Sequence, residues 1–267
     1  MEPPLSRAVL TIPSNGRAEW HTGRMAGVRA RVRAQMIEEI KAGARAQLAS
    51  EGANLSLRAI ARDMGMASSA IYRYFTSRDD LLTALIIDAY NALGDAVEAA
   101  DAAVERTDFD ARWRAIAGAV RDWARTHPSE YLLIYGTSVP GYQAPQDTIG
   151  PAARAVFTFI AVMRDAIAAG AISSVESSPP ESVAVDLRRS LGAGASQEAV
   201  DVFASGVSVW LQLFGHVSFE LTGQFHNTIT DYGAYFAFEV DKSARRLGLG
   251  RDRAGGGLDL AAPNPAQ

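Results

Sequence analysis

Residues 56–78 read SLRAIARDMGMASSAIYRYFTSR, and this stretch limits the fold more tightly than any other part of the chain. Ser56 is of the type that caps a helix N-terminus. Leu57, Ile60, Ala61 and Met64 recur at helical spacing and make the inward face of a short helix. Ala61 is small where a second helix must cross closely. Gly65 follows and can take the positive φ that a sharp turn needs. Ile71 lies six residues after the glycine and can pack back onto Ile60 and Ala61. The pattern predicts a helix-turn-helix with a second helix free to enter a DNA major groove.

The outward residues of the second helix suit that task. Ser68 and Ser69 stand at its N-terminal end, the part that reaches base edges. Tyr72, Arg73 and Tyr74 offer hydroxyl and guanidinium donors to phosphate, and Arg78 can hold a further phosphate. Arg58, early in the first short helix, can reach a guanine edge through its bidentate fork. No carboxylate stands between Asp63 and Asp79, so like charge is kept from the phosphates. Charge is also unevenly spread. Residues 1–80 hold 12 Lys/Arg against 8 Asp/Glu, whereas the whole chain carries a net charge of −4. A basic N-terminal part on an acidic body points to one end that meets a polyanion. Arg29, Arg31 and Arg33 form a basic run before this region, read either as a solvated face or as an arm that touches phosphate or minor groove.

The remaining chain shows helical periodicity and no strand pattern, so the class is all-α. A first helix is expected from about Arg29, with Met36, Ile37, Ile40, Ala44 and Leu48 on one face and Gly52 as its stop. A long helix is expected from Ser77 to about Ala103, with Ser77 as cap and Asp80 three positions on. Further helices are expected near 109–126, 129–137, 150–169, 180–190, 196–222 and 228–247, with loops at 138–149 and 173–182. Four regions result: a flexible arm (1–28), a three-helix helix-turn-helix domain (29–76), a larger helical domain (77–247) and a disordered tail (248–267). The 267 residues contain no cysteine, which excludes disulfides, thiolate metal sites and cysteine nucleophiles. His21, His127, His216 and His226 are too scattered for a ligand motif, and no metal or cofactor is expected. No stretch is read as the roughly 18 apolar residues a membrane span needs, and the N-terminus lacks a signal-peptide core, so no membrane partner and a cytoplasmic location are expected.

The helix-turn-helix together with Ile71-Tyr72-Arg73-Tyr74-Phe75, Ser77-Arg78 and Asp79-Asp80-Leu81-Leu82 resembles the tetracycline-repressor (TetR) family of bacterial transcription regulators over about residues 33–82. The resemblance implies base reading at Arg58, Ser68, Ser69 and Ala70, and phosphate contacts at Tyr72, Tyr74 and Arg78. Where the family commonly starts the second helix with Ser, this chain has Ala67, so the cap is expected to fall to Ser68. Trp210 to Gly215, followed by Glu220-Leu221 and Gly223, looks like a Trp-x4-Gly helix found in a subset of the family. There this helix and the last one make a homodimer interface. The stripes containing Phe203, Val207, Phe214, Leu221, Tyr232 and Phe236 need partners of that kind, within the chain or across a dimer.

The resemblance also implies a small-molecule effector in the C-terminal half. Trp113, Trp123, Tyr135, Phe159, Met163 and Trp210 are the candidate lining, which suits a largely apolar ligand. The reading is therefore a homodimeric regulator, a repressor released by its effector from a two-fold related double-stranded DNA operator. Enzyme chemistry is opposed by the lack of a Gly-rich phosphate loop, a metal cluster or a Ser/His/Asp set. Asp108 and Asp110 sit at a helix start and are explained by capping. A helical carrier or interaction protein with an inert motif is the alternative. Steep salt dependence of DNA binding separates the two.

Overall fold

The computed structural model describes residues 16–172, 178–192 and 194–249. Among them are ten α-helices and no strand. They are α1 (Gly16–Glu51), α2 (Leu57–Asp63), α3 (Ser68–Ile71), α4 (Arg78–Ala102) and α5 (Phe109–Thr126), then α6 (Pro128–Tyr135), α7 (Ile149–Ala168), α8 (Glu181–Leu191), α9 (Gln197–Leu221) and α10 (Tyr232–Arg246). Two compact units meet between Leu82 and Thr83, inside α4 rather than at residue 76. Leu81 and Leu82, both fully buried, belong with the first unit, which keeps the opening turn of α4.

In the first unit, Ile40, Ala44 and Leu48 of α1 are buried together with Leu57, Ile60 and Ala61 of α2 and Ile71 of α3. Gly43 allows the first two helices to approach closely: a Cβ there would stand 3.3 Å from Ile60 Cγ2. The expected arm is corrected in part. α1 starts at Gly16, because Ala, Arg, Met and Glu favour helix even without an apolar period. Residues 1–15 lie outside the described residues, as do 173–177 of the expected loop and 250–267 of the expected tail. Gly248 and Leu249 do not behave as tail. The Leu249 amide donates to the Ala244 carbonyl at 2.9 Å, and its side chain joins the core.

The second unit packs α5 against α6, α7, α9 and α10. α5 contributes Trp113, Ile116, Ala117 and Val120, all essentially solvent-free. The same stripe includes Arg112, which is fully buried and bound to Asp101 and Asp165. Local signals act as their chemistry suggests. Asp108 accepts from the Ala111 amide (3.1 Å) and Ser196 from the Ala199 amide (3.2 Å), capping α5 and α9. α10 begins at Tyr232 rather than 228, because Asn227 adopts φ +63° and Asp231 takes the cap. α9 corrects one expectation: over its best 18 residues its mean hydropathy is 1.3, enough by length and composition alone to cross a membrane. Val200, Val202, Val209, Leu213 and Val217 use that apolar character in the core of this unit.

Candidate functional site

The helix-turn-helix is built by three local devices. Ser56 Oγ accepts from the Ala59 amide at 3.3 Å and starts α2. Gly65 at φ +68° turns the chain, and the Met66 amide returns to the Ala61 carbonyl at 2.8 Å, closing the end of α2. Ser77 Oγ then accepts from the Asp80 amide at 3.0 Å, while the Asp80 carboxylate takes the Thr76 hydroxyl. These hydroxyl donors hold the Asp80 carboxyl below its ordinary value, so it stays ionised at the positive end of α4. The expected transfer of the α3 cap to Ser68 does not occur. Ala67 occupies the cap position without a side-chain hydrogen bond, which leaves both serine hydroxyls outward.

The seven residues expected to touch DNA fall into two groups. Arg58, Ser68, Ser69, Tyr72 and Arg73 are exposed, and among the described residues their side chains make no hydrogen bond or ion pair. Tyr74 and Arg78 are half-buried and already engaged. Arg78 Nη2 donates to the Ala53 carbonyl at 2.6 Å and so ties the start of α4 to the α1–α2 loop. Arg33 Nη1 donates to the Arg73 carbonyl at 2.9 Å, and its guanidinium lies 5.3 Å from the Tyr74 ring centre. Sequence reasoning had Arg33 as part of a basic run. Its role at the end of α3 depends on how α1 lies in the unit, which no local pattern carries.

Of the six residues expected to line an effector pocket, three share one groove and three lie elsewhere. Phe159, Met163 and Trp210 border a groove of about 110 Å³ between α7 and α9, along with Phe203 and Val207. Trp113 is instead a core side chain, 5.0 Å from Phe159 and bonded through Nε1 to Ser243 Oγ at 2.9 Å. Trp123 is buried and stacked on His127, and Tyr135 lies among Tyr90, Tyr131 and Phe214. Burial raises the Tyr135 hydroxyl and pushes Tyr131 up to about 12, so both remain neutral.

A cavity of about 540 Å³ opens elsewhere in this unit, bordered by α4, α6, the 138–148 segment and α7. Ile86, Tyr90, Ile134, Val139, Tyr142 and Ile149 are among its walls, and no lining residue is charged. Tyr142 Oη and Thr83 Oγ1 share a hydrogen bond of 2.9 Å, whereas Tyr90 Oη reaches the Ile134 carbonyl only at 3.4 Å. Burial, with Tyr142 nearby, raises the Tyr90 hydroxyl, which therefore stays a donor. Sequence reading missed this cavity. Tyr142 in the Pro/Gly-containing loop was its one visible signal.

Of the six residues expected at a dimer interface, Phe214, Leu221 and Phe236 turn inward against the core of their own unit. All three stay half-buried, so part of each stripe finds its partner inside the chain. Phe203 and Tyr232 are half-buried, and Val207 is exposed. The open apolar residues of α9 are Val207, Leu211 and Phe219, with Gly215 in the same four-residue row, and α10 adds Phe238.

A helix-turn-helix with unengaged polar side chains on its second helix, followed by a larger helical unit, defines a helix-turn-helix transcriptional regulator. Comparison with known proteins agrees. The description "Bacterial regulatory proteins, tetR family" matches residues 40–85, and "Tetracyclin repressor-like, C-terminal domain" matches residues 113–242. The HTH-type transcriptional regulator Rv1816 of Mycobacterium tuberculosis is 39% identical over 216 residues, covering 79% of this chain and 91% of that protein. The regulator Mb1846 of Mycobacterium bovis matches with the same values, 39% identity over 216 residues. The solved structure of SCO4313 superposes with a TM-score of 0.65 at 36% identity, covering 80% of this chain and 97% of that one. A protein of unknown function from Rhodococcus sp. RHA1 shares the fold at a TM-score of 0.60 and 23% identity, covering 78% of this chain and 93% of that one. The chain belongs to the TetR family of bacterial transcriptional regulators. Its family and relatives are regulators of transcription, not enzymes.

Proposed function

We propose that the chain acts as a homodimeric repressor in the bacterial cytoplasm, released from a two-fold related operator by a small effector. In this reading residues 29–76 hold DNA and residues 77–247 hold the effector and the second protomer. The observation that carries the reading is the set of unengaged side chains at Arg58, Ser68, Ser69, Tyr72 and Arg73. Arg58 and the two serines read base edges. Tyr72 and Arg73 hold phosphates, whereas Tyr74 and Arg78 mainly keep the motif in shape. A dimer places two recognition helices about 34–36 Å apart, one helical turn of DNA.

The exposed row Val207, Leu211, Gly215 and Phe219 supports the dimer. Residues four apart form a ridge that packs into the matching groove of a second helix, and the glycine lets the partner approach. Selection of bound duplexes from a random pool at near-physiological salt tests the reading, with Tyr72→Ala as control. Recovery of a two-fold related site by the wild type, lost in the variant, is the expected result. No enrichment by folded, ligand-free protein sinks it. Affinity for the recovered site should also fall steeply with salt, at roughly 0.9 of a log unit per log of salt for each phosphate neutralised.

A further inference from the structure

The reading above leaves the effector site open, and the present inference rests on that reading. We propose that the effector occupies the cavity of about 540 Å³ bordered by α4, α6 and α7, and that it is a neutral, mainly apolar molecule with one hydrogen-bond-accepting oxygen. The volume lies within the roughly 300–1,000 Å³ range of small-molecule sites. The walls contain no Asp, Glu, Lys, Arg or His, so an ionic ligand would lose its hydration without gaining a counter-charge. Aliphatic side chains from α4 (Ile86), α6 (Leu133, Ile134) and α7 (Ile149) supply the apolar surface.

Ser138 is exposed, and of the three hydroxyls set deeper in the lining one remains to donate to an accepting atom on the ligand. Thr148 Oγ1 is committed to the Pro145 carbonyl at 2.8 Å. Tyr142 Oη is paired with Thr83 Oγ1 at 2.9 Å. Tyr90 Oη has only the long, 3.4 Å contact with the Ile134 carbonyl. At that length little is lost by redirecting the proton to a ligand carbonyl, hydroxyl or ether oxygen at about 2.8 Å. Tyr142 also connects the cavity to α4. A ligand that presses on the Tyr142 ring bears on Thr83, five residues after the helix begins at Arg78.

Fluorescence titration of the intact, DNA-free protein tests this. Prodan, a neutral naphthalene with one carbonyl, should bind with a blue-shifted emission. N-phenyl-1-naphthylamine should bind at least tenfold more tightly than 1-anilinonaphthalene-8-sulfonate, which adds only an anionic sulfonate to the same body. Tyr90→Phe should weaken prodan about three- to tenfold, the loss of one neutral hydrogen bond. Ala152→Trp should abolish binding by filling the cavity. Ala144→Trp, at an exposed wall residue, should do so without touching the core. Ile160→Ala, in the separate α7–α9 groove, should leave prodan unchanged.

Absence of prodan binding, equal affinity for the sulfonate, or unaltered binding in a folded Ala144→Trp variant each overturns the proposal. Because these titrations contain no DNA, they fail or succeed separately from the duplex selection. A chain that binds prodan but selects no operator refutes the regulatory reading, and one that selects an operator but excludes prodan refutes only the site.

Discussion

Arg112 binds Asp101 through two hydrogen bonds, from Nε at 2.7 Å and from Nη2 at 3.2 Å, and Arg112 itself has no solvent exposure. Its Nη1 reaches the Arg106 carbonyl at 3.2 Å and Asp165 at 3.1 Å, so one guanidinium joins the end of α4, the following loop and α7. Removing one partner of a buried pair costs up to about 3–5 kcal/mol, and without Arg112 the Asp101 carboxylate keeps only the half-exposed Arg106 at 2.7 Å. Arg112→Met should lower urea-unfolding stability by about that amount at pH 7. Arg106→Ala, at the half-exposed guanidinium, should lose no more than about 1 kcal/mol. Equal losses would show that burial is not what makes the pair matter.

The same pair predicts a pH dependence. Burial alone would raise the Asp101 carboxyl, but the hydrogen bonds from Arg112 and Arg106 outweigh it and hold the group below its ordinary 3.8. Asp165 is lowered in the same way, against burial, by Arg112 and Arg164. The unfolded chain therefore takes up protons first as pH falls. Stability from these carboxylates is complete above the unfolded value near 3.8 and drains away as pH drops through the lower folded values. The difference between wild type and Arg112→Met should narrow below about pH 4, measured by urea melts across pH 2.5–7. A constant difference over that range would refute the assignment.

Arg33 predicts a distinction between shape and charge. Its contact with the Arg73 carbonyl holds the end of α3, so Arg33→Ala should destabilise the first unit by about 1 kcal/mol and weaken operator binding. The slope of log affinity against log salt should stay as in the wild type. A slope reduced by about 1 would make Arg33 a phosphate contact instead.

Arg58 and Tyr72, both exposed, should fail in different ways. Arg58→Ala should relax preference at one base pair in each half-site by about 1–3 kcal/mol, seen as a flattened position in a repeat of the duplex selection. Tyr72→Ala should weaken all duplexes about evenly and leave the preferred sequence intact. An unchanged profile for Arg58→Ala would remove it as a base reader.

Two α9 substitutions should separate interface from core. Leu211, 67% exposed, can accept a charge within the protomer, so Leu211→Asp should give a folded monomer by sedimentation at micromolar concentration. Phe214 packs on Tyr135 at 4.2 Å between ring centres and on Trp210 at 5.0 Å. Phe214→Asp should therefore lower the melting temperature before it changes assembly. A dimeric Leu211→Asp would place the interface elsewhere.

Local chemistry made much of this protein legible before its tertiary structure. Ser56, Gly65 and Ser77 act on neighbours within five residues, and the helix-turn-helix follows from them with Ile60, Ala61 and Ile71. Arg112 was also visible in principle, because it lies on the apolar stripe of α5 with Ile116 and Val120, where a cation needs a partner. The partner was not visible. Asp101 and Asp165 are 11 and 53 residues away in the chain.

The all-α class, most helix limits and the outward placing of Arg58, Ser68, Ser69, Tyr72 and Arg73 were thus determined by the sequence itself, since each depends on short-range spacing and backbone capping. Tertiary structure decided which surface each aromatic meets. Helical periodicity marks Trp113, Phe214 and Phe236 as apolar-facing, but the same period serves a core, a cavity wall or an interface. Only the packing of α5, α7, α9 and α10 turns those three inward, leaves Leu211 and Phe219 outside, and opens the cavity beside Tyr90 and Tyr142.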